Sequence, residues 1–205
     1  MQFYRSTLKH LLDKFFAIIL ITLLLPIIVS IFCNQFAVYK SKVFFYQERS
    51  GLNGRVFSLI KFRTMIDKSD ISGRQLPDKQ RLTSSGKILR FLSLDELPNI
   101  INVVKGDLSF VGPRPFPTSY FNLMNAEQKK RYSVRPGITG LAQIMGRNNL
   151  SWKSKITYDL KYIENINFFE DLIILLRTFR HLFTSKRNED LGDQSIDDFI
   201  PNFDQ

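Results

Sequence analysis

The chain has 205 residues, 44% of them hydrophobic, and a formal net charge of +10. That length favours one compact domain plus a membrane element over two full domains, and the charge calls for nucleic acid, anionic lipid or a polyanionic substrate as partner. The single cysteine, Cys33, excludes an intramolecular disulfide and a multi-cysteine metal site, while His10 and His181, set among basic and apolar residues, read as surface or interfacial groups.

The first predicted element is an apolar run over residues 15–33, interrupted only by Thr22, Pro26 and Ser30. About 20 helical residues at about 1.5 Å each cross a hydrocarbon core of about 30 Å, so the run is long enough to span. Its length, the proline and the lack of a small-x-small pattern after it argue against a cleaved secretory leader. Arg5, Lys9 and Lys14 precede the run; Lys40, Lys42, Arg49 and Arg55 follow it. Basic residues accumulate on the cytoplasmic side, so both flanks point to one face, and a re-entrant helix broken at Pro26 is expected.

Residues 43–46 and 56–60 are predicted as short strands around the turn-prone Ser50-Gly51-Leu52-Asn53-Gly54. Residues 67–82, polar and carrying Gly73 and Pro77, read as a surface loop. Helices are predicted over 87–92 and 96–104, the second stopping at Gly106, and 109–111 is extended ahead of Gly112-Pro113-Arg114-Pro115. Further helices are expected over 126–132, 151–163 and 168–183. The last places Phe168, Leu172, Leu175, Leu176, Phe179 and Phe183 on one face, with Arg177, Arg180 and His181 elsewhere. Such a face seals a core by default, and its basic flank shifts the reading toward the headgroup layer. The end of the chain, with Glu189, Asp190, Asp193, Asp197, Asp198 and Asp204, reads as an acidic appendage without chemistry. The expected class is α/β, mainly helical with short strands: a membrane helix over 1–36, a cytosolic body over 37–185 and a tail over 186–205.

Asp95-Glu96 is the pair on which chemistry is most concentrated. Ser93-x-x-Glu96 has the form of a capping box, and such pairs usually only cap. Pro98 opposes that register, because it would be the fifth helical residue and lacks the N–H that should bond back to Leu94. A helix starting at Asp95 needs no donor there, and its N-terminal dipole is expected to hold the Asp95 carboxylate ionised, as nucleophilic attack on phosphorus requires. Several cations accompany the pair. Arg114 is held between prolines after a glycine, Arg147 follows Gly146, Lys61 and Arg63 end a strand, and Arg90 lies just upstream. A rigid backbone aims a guanidinium, whose planar fork suits phosphate oxygens, although each of these could instead neutralise a structural carboxylate.

Four blocks, Lys61-Phe62-Arg63-Thr64-Met65, Ser93-Leu94-Asp95-Glu96-Leu97-Pro98, Gly106-Asp107-Leu108-Ser109-Phe110-Val111-Gly112-Pro113-Arg114-Pro115 and Arg135-Pro136-Gly137-Ile138-Thr139-Gly140-Leu141, resemble in this order the signature of the bacterial sugar transferases. These are the monotopic polyprenyl-phosphate phosphoglycosyl transferases. The resemblance covers residues 9–183, and the chain is similar to the small form that initiates bacterial protein glycan assembly. The resemblance implies that Asp95 attacks the sugar-bearing phosphorus of a UDP-sugar, expels UMP, and passes the phosphosugar to undecaprenyl phosphate. It implies Glu96 as the ligand of Mg²⁺, Arg90, Arg114 and Arg147 as phosphate stabilisers, and Lys61 and Arg63 as weaker candidates for that role. It further implies the bacterial inner membrane, a catalytic domain facing the cytoplasm, contact with membrane lipids, and downstream glycosyltransferases as partners. One departure is Leu25-Pro26, where family members commonly carry serine before the proline. The rival from another class is a membrane-tethered basic binding or scaffold protein without turnover. Nucleic acid is not expected as a partner, because the basic residues are scattered and no recognised binding motif occurs.

Overall fold

The computed structural model describes residues 3–69, 72–146 and 150–184. After a π-helical turn, Tyr4–Leu8, helix α1 spans Lys9–Tyr39, with Pro26 inside it. Strands β1, Phe44–Ser50, and β2, Val56–Phe62, follow as an antiparallel hairpin that pairs Tyr46 with Ile60. The surface stretch expected over 67–82 contains one helical turn, α2, Asp78–Arg81. Helix α3, Ser84–Leu92, is capped by Thr83, whose hydroxyl accepts from Gly86 N at 3.0 Å. Helix α4, Asn99–Lys105, stops at Gly106, where φ is +89° as glycine permits.

Strand β3, Ser109–Val111, is extended as expected, but its partner was not foreseen: β4, Gly137–Thr139, runs parallel beside it. Sequence periodicity is silent over a three-residue strand. The pairing depends on glycine, since a Cβ on Gly137 would lie 2.1 Å from Gly112 N and one on Gly112 would lie 2.6 Å from Arg135 O. Short helices α5, Ser119–Leu123, and α6, Ala126–Lys129, flank the chain between these strands, and α7, Leu141–Met145, follows β4. Helices α8, Trp152–Glu164, and α9, Phe168–Thr184, complete the described body. Among the described residues the protein is thus mostly helical, with two separate two-stranded sheets.

Helix α1 is bound to the body along one stripe. Ala17 packs with Leu59, Ile100, Val103 and Leu108, while Ile31 packs with Val43, Phe62 and Leu89. Its other faces, including Phe15, Phe16, Ile18, Leu23, Leu25 and Ile27, are exposed and apolar. Helix α9 repeats the arrangement in miniature. Asp171 and Ile174 are buried, whereas Phe169, Leu172, Leu176 and Phe179 face outward, so its apolar stripe does not seal the core. The side chains of His181 and Phe183 and the tail over 186–205 lie outside the described residues.

The buried pair Arg131–Asp159 holds the central turn. Arg131 Nη2 donates to Asp159 at 2.7 Å and to the Arg114 carbonyl at 2.7 Å, and its guanidinium lies 3.6 Å from the Phe116 ring centroid. Removing one member strands the other charge in the core, a loss of about 3–5 kcal/mol. Arg131→Met should therefore unfold at much lower denaturant in detergent solution, and Arg131→Met with Asp159→Leu should recover a large part of the midpoint.

Candidate active site

Asp95 and Glu96 lie in a 3-10 turn, Leu94–Glu96, between α3 and α4. Ser93 creates that turn by adopting a left-handed conformation, φ +56°, which non-glycine residues seldom take. Its side chain makes no cap hydrogen bond, so a capping box does not account for the pair. Nor does Asp95 begin a helix: α4 starts at Asn99, with Pro98 at its N-cap. The expectation that a helix dipole keeps Asp95 ionised is corrected accordingly. Burial pushes its carboxyl above the ordinary range, neighbouring Glu96 adds to that push, and Lys61 and Arg90 oppose it. The cations, brought in from β2 and α3, are what favour the ionised form.

Glu96 faces a shallow cleft that opens to solvent. Lys61 Nζ donates to Glu96 Oε1 at 2.8 Å, and Arg114 Nη2 stands 4.0 Å from the same oxygen. Leu59, Leu108, Pro115 and Ile138 wall the cleft. The structure therefore gathers Lys61, Glu96 and Arg114, three of the residues singled out from sequence. Arg90 Nε donates to Thr64 Oγ1 at 3.0 Å, which places it on the Asp95 side, while Arg63 is turned to Asp67 at 3.0 Å. Arg147 lies outside the described residues.

Two lining residues escaped the sequence reading. Arg49 counted only as flanking charge of the apolar run, yet it is 6% exposed and lines the cleft. Nothing in the sequence around Arg49 signals that burial. Asn99 is 3% exposed, lines the same cleft, and its Oδ1 has no hydrogen-bond partner. Buried carboxamides are normally satisfied, so this oxygen is an acceptor still available on the cleft wall. Arg49, Lys61 and Arg114 against Glu96 leave a positive excess suited to a diphosphate. No cluster of three metal-ligating side chains occurs among the described residues. The Glu96 carboxylate with the Asn99 oxygen nevertheless fits magnesium, which takes few protein oxygens and completes its shell from substrate phosphates and water.

Residues 4–185 match the family model for bacterial sugar transferases. The chain is 48% identical to an uncharacterised sugar transferase, EpsL, of Bacillus subtilis over 87% of this chain and 89% of that one. It is 37% identical to the UDP-glucose:undecaprenyl-phosphate glucose-1-phosphate transferase of Caulobacter vibrioides, over 86% of this chain and 70% of the relative. It is 34% identical to a UDP-N-acetylgalactosamine-undecaprenyl-phosphate N-acetylgalactosaminephosphotransferase of Aeromonas hydrophila, over 86% and 44% of the two chains.

Asn99 and its neighbour Asn102 offer an internal comparison. Asn102 accepts from Ile60 N at 3.3 Å and donates to Ser58 O at 2.8 Å, so Asn102→Leu should cost about 2–3 kcal/mol by stranding those groups. Asn99→Leu strands nothing and should leave the thermal midpoint unchanged or higher.

Proposed function

The chain belongs to the bacterial sugar transferase family, and on that premise we propose that it moves a sugar 1-phosphate from a UDP-sugar to undecaprenyl phosphate, releasing UMP, through a covalent aspartyl-phosphosugar intermediate. Its enzyme class is that of transferases of substituted phosphate groups, the class of its undecaprenyl-phosphate sugar-phosphate transferase relatives. The observation that carries this reading is the cleft where Lys61, Arg49 and Arg114 surround Glu96 next to the half-buried Asp95.

In this reading a carboxylate oxygen of Asp95 attacks the sugar-bearing phosphorus as the bond to the UMP oxygen breaks. Arg90 and Lys61 hold the nucleophile charged, and Arg49 and Arg114 stabilise the oxygens on which charge accumulates. A phosphate oxygen of the lipid acceptor then attacks the same phosphorus and frees Asp95. Glu96 and the Asn99 oxygen would hold magnesium, whose charge offsets that of the diphosphate. Arg131 acts at one remove, since its bond to the Arg114 carbonyl positions that guanidinium. Arg63 and Arg147 are kept as phosphate contacts from the motif alone.

The proposed setting is the cytoplasmic face of the bacterial inner membrane, with a membrane element over 1–36, a catalytic body over 37–185 and an acidic tail over 186–205. Helix α1, expected to break at Pro26 but continuous through it, would then have both ends at the same face instead of crossing. In support, both its ends are tied to one body. Tyr4 and Lys9 bond Asp171 at 2.6 and 2.5 Å, and Tyr39 meets Thr83 Oγ1 at 2.9 Å. The outward apolar faces of α1 and α9 would share the lipid. The product would pass to downstream glycosyltransferases.

Asp95→Asn should abolish UMP release from UDP-sugars, by at least about a thousandfold, while keeping the wild-type thermal midpoint. EDTA should silence the wild type, and Glu96→Gln should raise the magnesium requirement; turnover that persists in EDTA refutes the metal. For topology, Ser6→Cys and Ser69→Cys, each with Cys33→Ser, should both react with an impermeant thiol reagent in inverted vesicles. Protection of position 6 alone would establish a crossing helix.

A further inference from the structure

In the block Lys61-Phe62-Arg63-Thr64-Met65, Thr64 is the polar residue to which the chemistry above gives no task. It is 6% exposed and lies just beyond the end of β2. Helix α3 approaches it closely enough to require glycine, since a Cβ on Gly86 would lie 2.2 Å from Thr64 O. The same carbonyl accepts from Thr83 N at 3.1 Å and from Thr83 Oγ1 at 3.2 Å, so the backbone at position 64 is locked to the start of α3. With its one proton given to that carbonyl, Thr83 Oγ1 accepts from Gly86 N at 3.0 Å and from Tyr39 Oη, at the end of α1, at 2.9 Å.

The lock uses the main chain of Thr64 and leaves its side chain for something else. The hydroxyl accepts from Arg90 Nε at 3.0 Å, and among the described residues the Arg90 guanidinium makes no other hydrogen bond or ion pair. A guanidinium carries five N–H donors in one plane, so a bond at Nε leaves the four on its terminal nitrogens. Those four form the fork that grips a carboxylate or a phosphate through two parallel bonds. A long side chain has many rotamers to lose on meeting its target, and an anchor at Nε removes much of that freedom before substrate arrives. Arg90 is also one of the two cations that favour the ionised form of Asp95.

We propose that Thr64 is a positioning residue for the transfer, its hydroxyl holding Arg90 by Nε so that the terminal fork is presented to Asp95 and to the phosphate that Asp95 attacks. The proposal deepens the transferase reading and rests on it. The full chain in detergent is assayed for UMP release from UDP-glucose, UDP-galactose and UDP-N-acetylgalactosamine, with undecaprenyl phosphate and magnesium. Thr64→Val, which keeps volume and branching, should lower kcat about 10- to 100-fold and change KM for the UDP-sugar by less than about threefold. Thr64→Ser, which keeps the hydroxyl but gives up a methyl, should recover most of the rate. In an Arg90→Lys chain, where a methylene replaces the Nε–H, Thr64→Val should lower the rate by less than about twofold more. In ¹⁵N-arginine spectra the Arg90 Nε–H signal is identified by its loss in Arg90→Lys. That proton should exchange with water at least about tenfold faster in Thr64→Val and at the wild-type rate in Thr64→Ser. Rates that follow the thermal midpoint instead of the hydroxyl, an equal loss in the Arg90→Lys chain, or Nε–H exchange unaltered by Thr64→Val would each overturn the positioning role. A wild type silent with all three UDP-sugars overturns the transferase reading and the role together, whereas a Thr64→Val chain as fast as an active wild type overturns the role alone.

Discussion

The carboxylate of Asp171 ties the apolar N-terminal helix to the rest of the molecule. It is 5% exposed and accepts from Tyr4 Oη at 2.6 Å, Lys9 Nζ at 2.5 Å and Tyr162 Oη at 2.6 Å. A buried carboxylate is costly unless its lone pairs are filled, and three donors from three segments fill these. Tyr162 Oη also lies 3.2 Å from the Val111 carbonyl, so the same knot reaches β3. One group thus holds the start of α1, the end of α8, the face of α9 and the strand that leads into the Gly112-Pro113-Arg114-Pro115 turn. The depth at which α1 sits and the position of Arg114 are set by a shared anchor.

A second constraint acts on the backbone. Gly112, Gly137 and Gly140 press together so closely that a Cβ on Gly140 would lie 2.1 Å from Gly112 O. This contact lets β3 and β4 pair, and it brings Ile138 to the wall of the cleft opposite Lys61. Arg131 completes the frame by gripping the Arg114 carbonyl from beneath. Rigid supports of this kind matter where phosphate is handled, because pre-aimed charges stabilise a transition state without reorganising. Asp95 and Glu96 sit on the turn that follows Ser93, one of three described non-glycine residues at positive φ, with Lys40 and Asn53.

Much of this protein was legible in its sequence. The apolar run, the β1–β2 hairpin, the stop at Gly106, the extended 109–111 segment and helices α8 and α9 follow from periodicity, glycine and proline, which act over a few neighbouring residues. Lys61, Glu96 and Arg114, singled out in the same way as motif residues on constrained backbone, do come together at one cleft. What only the tertiary structure decided depends on segments far apart in the chain. The parallel pairing of Ser109 with Gly137, the burial of Arg49 and Asn99 in the cleft, and the outward turn of α9 have no local signature. The source of charge stabilisation at Asp95 was misread from sequence for the same reason. It is governed by burial and by Lys61 and Arg90, which meet it through space, and not by the helix that follows it along the chain.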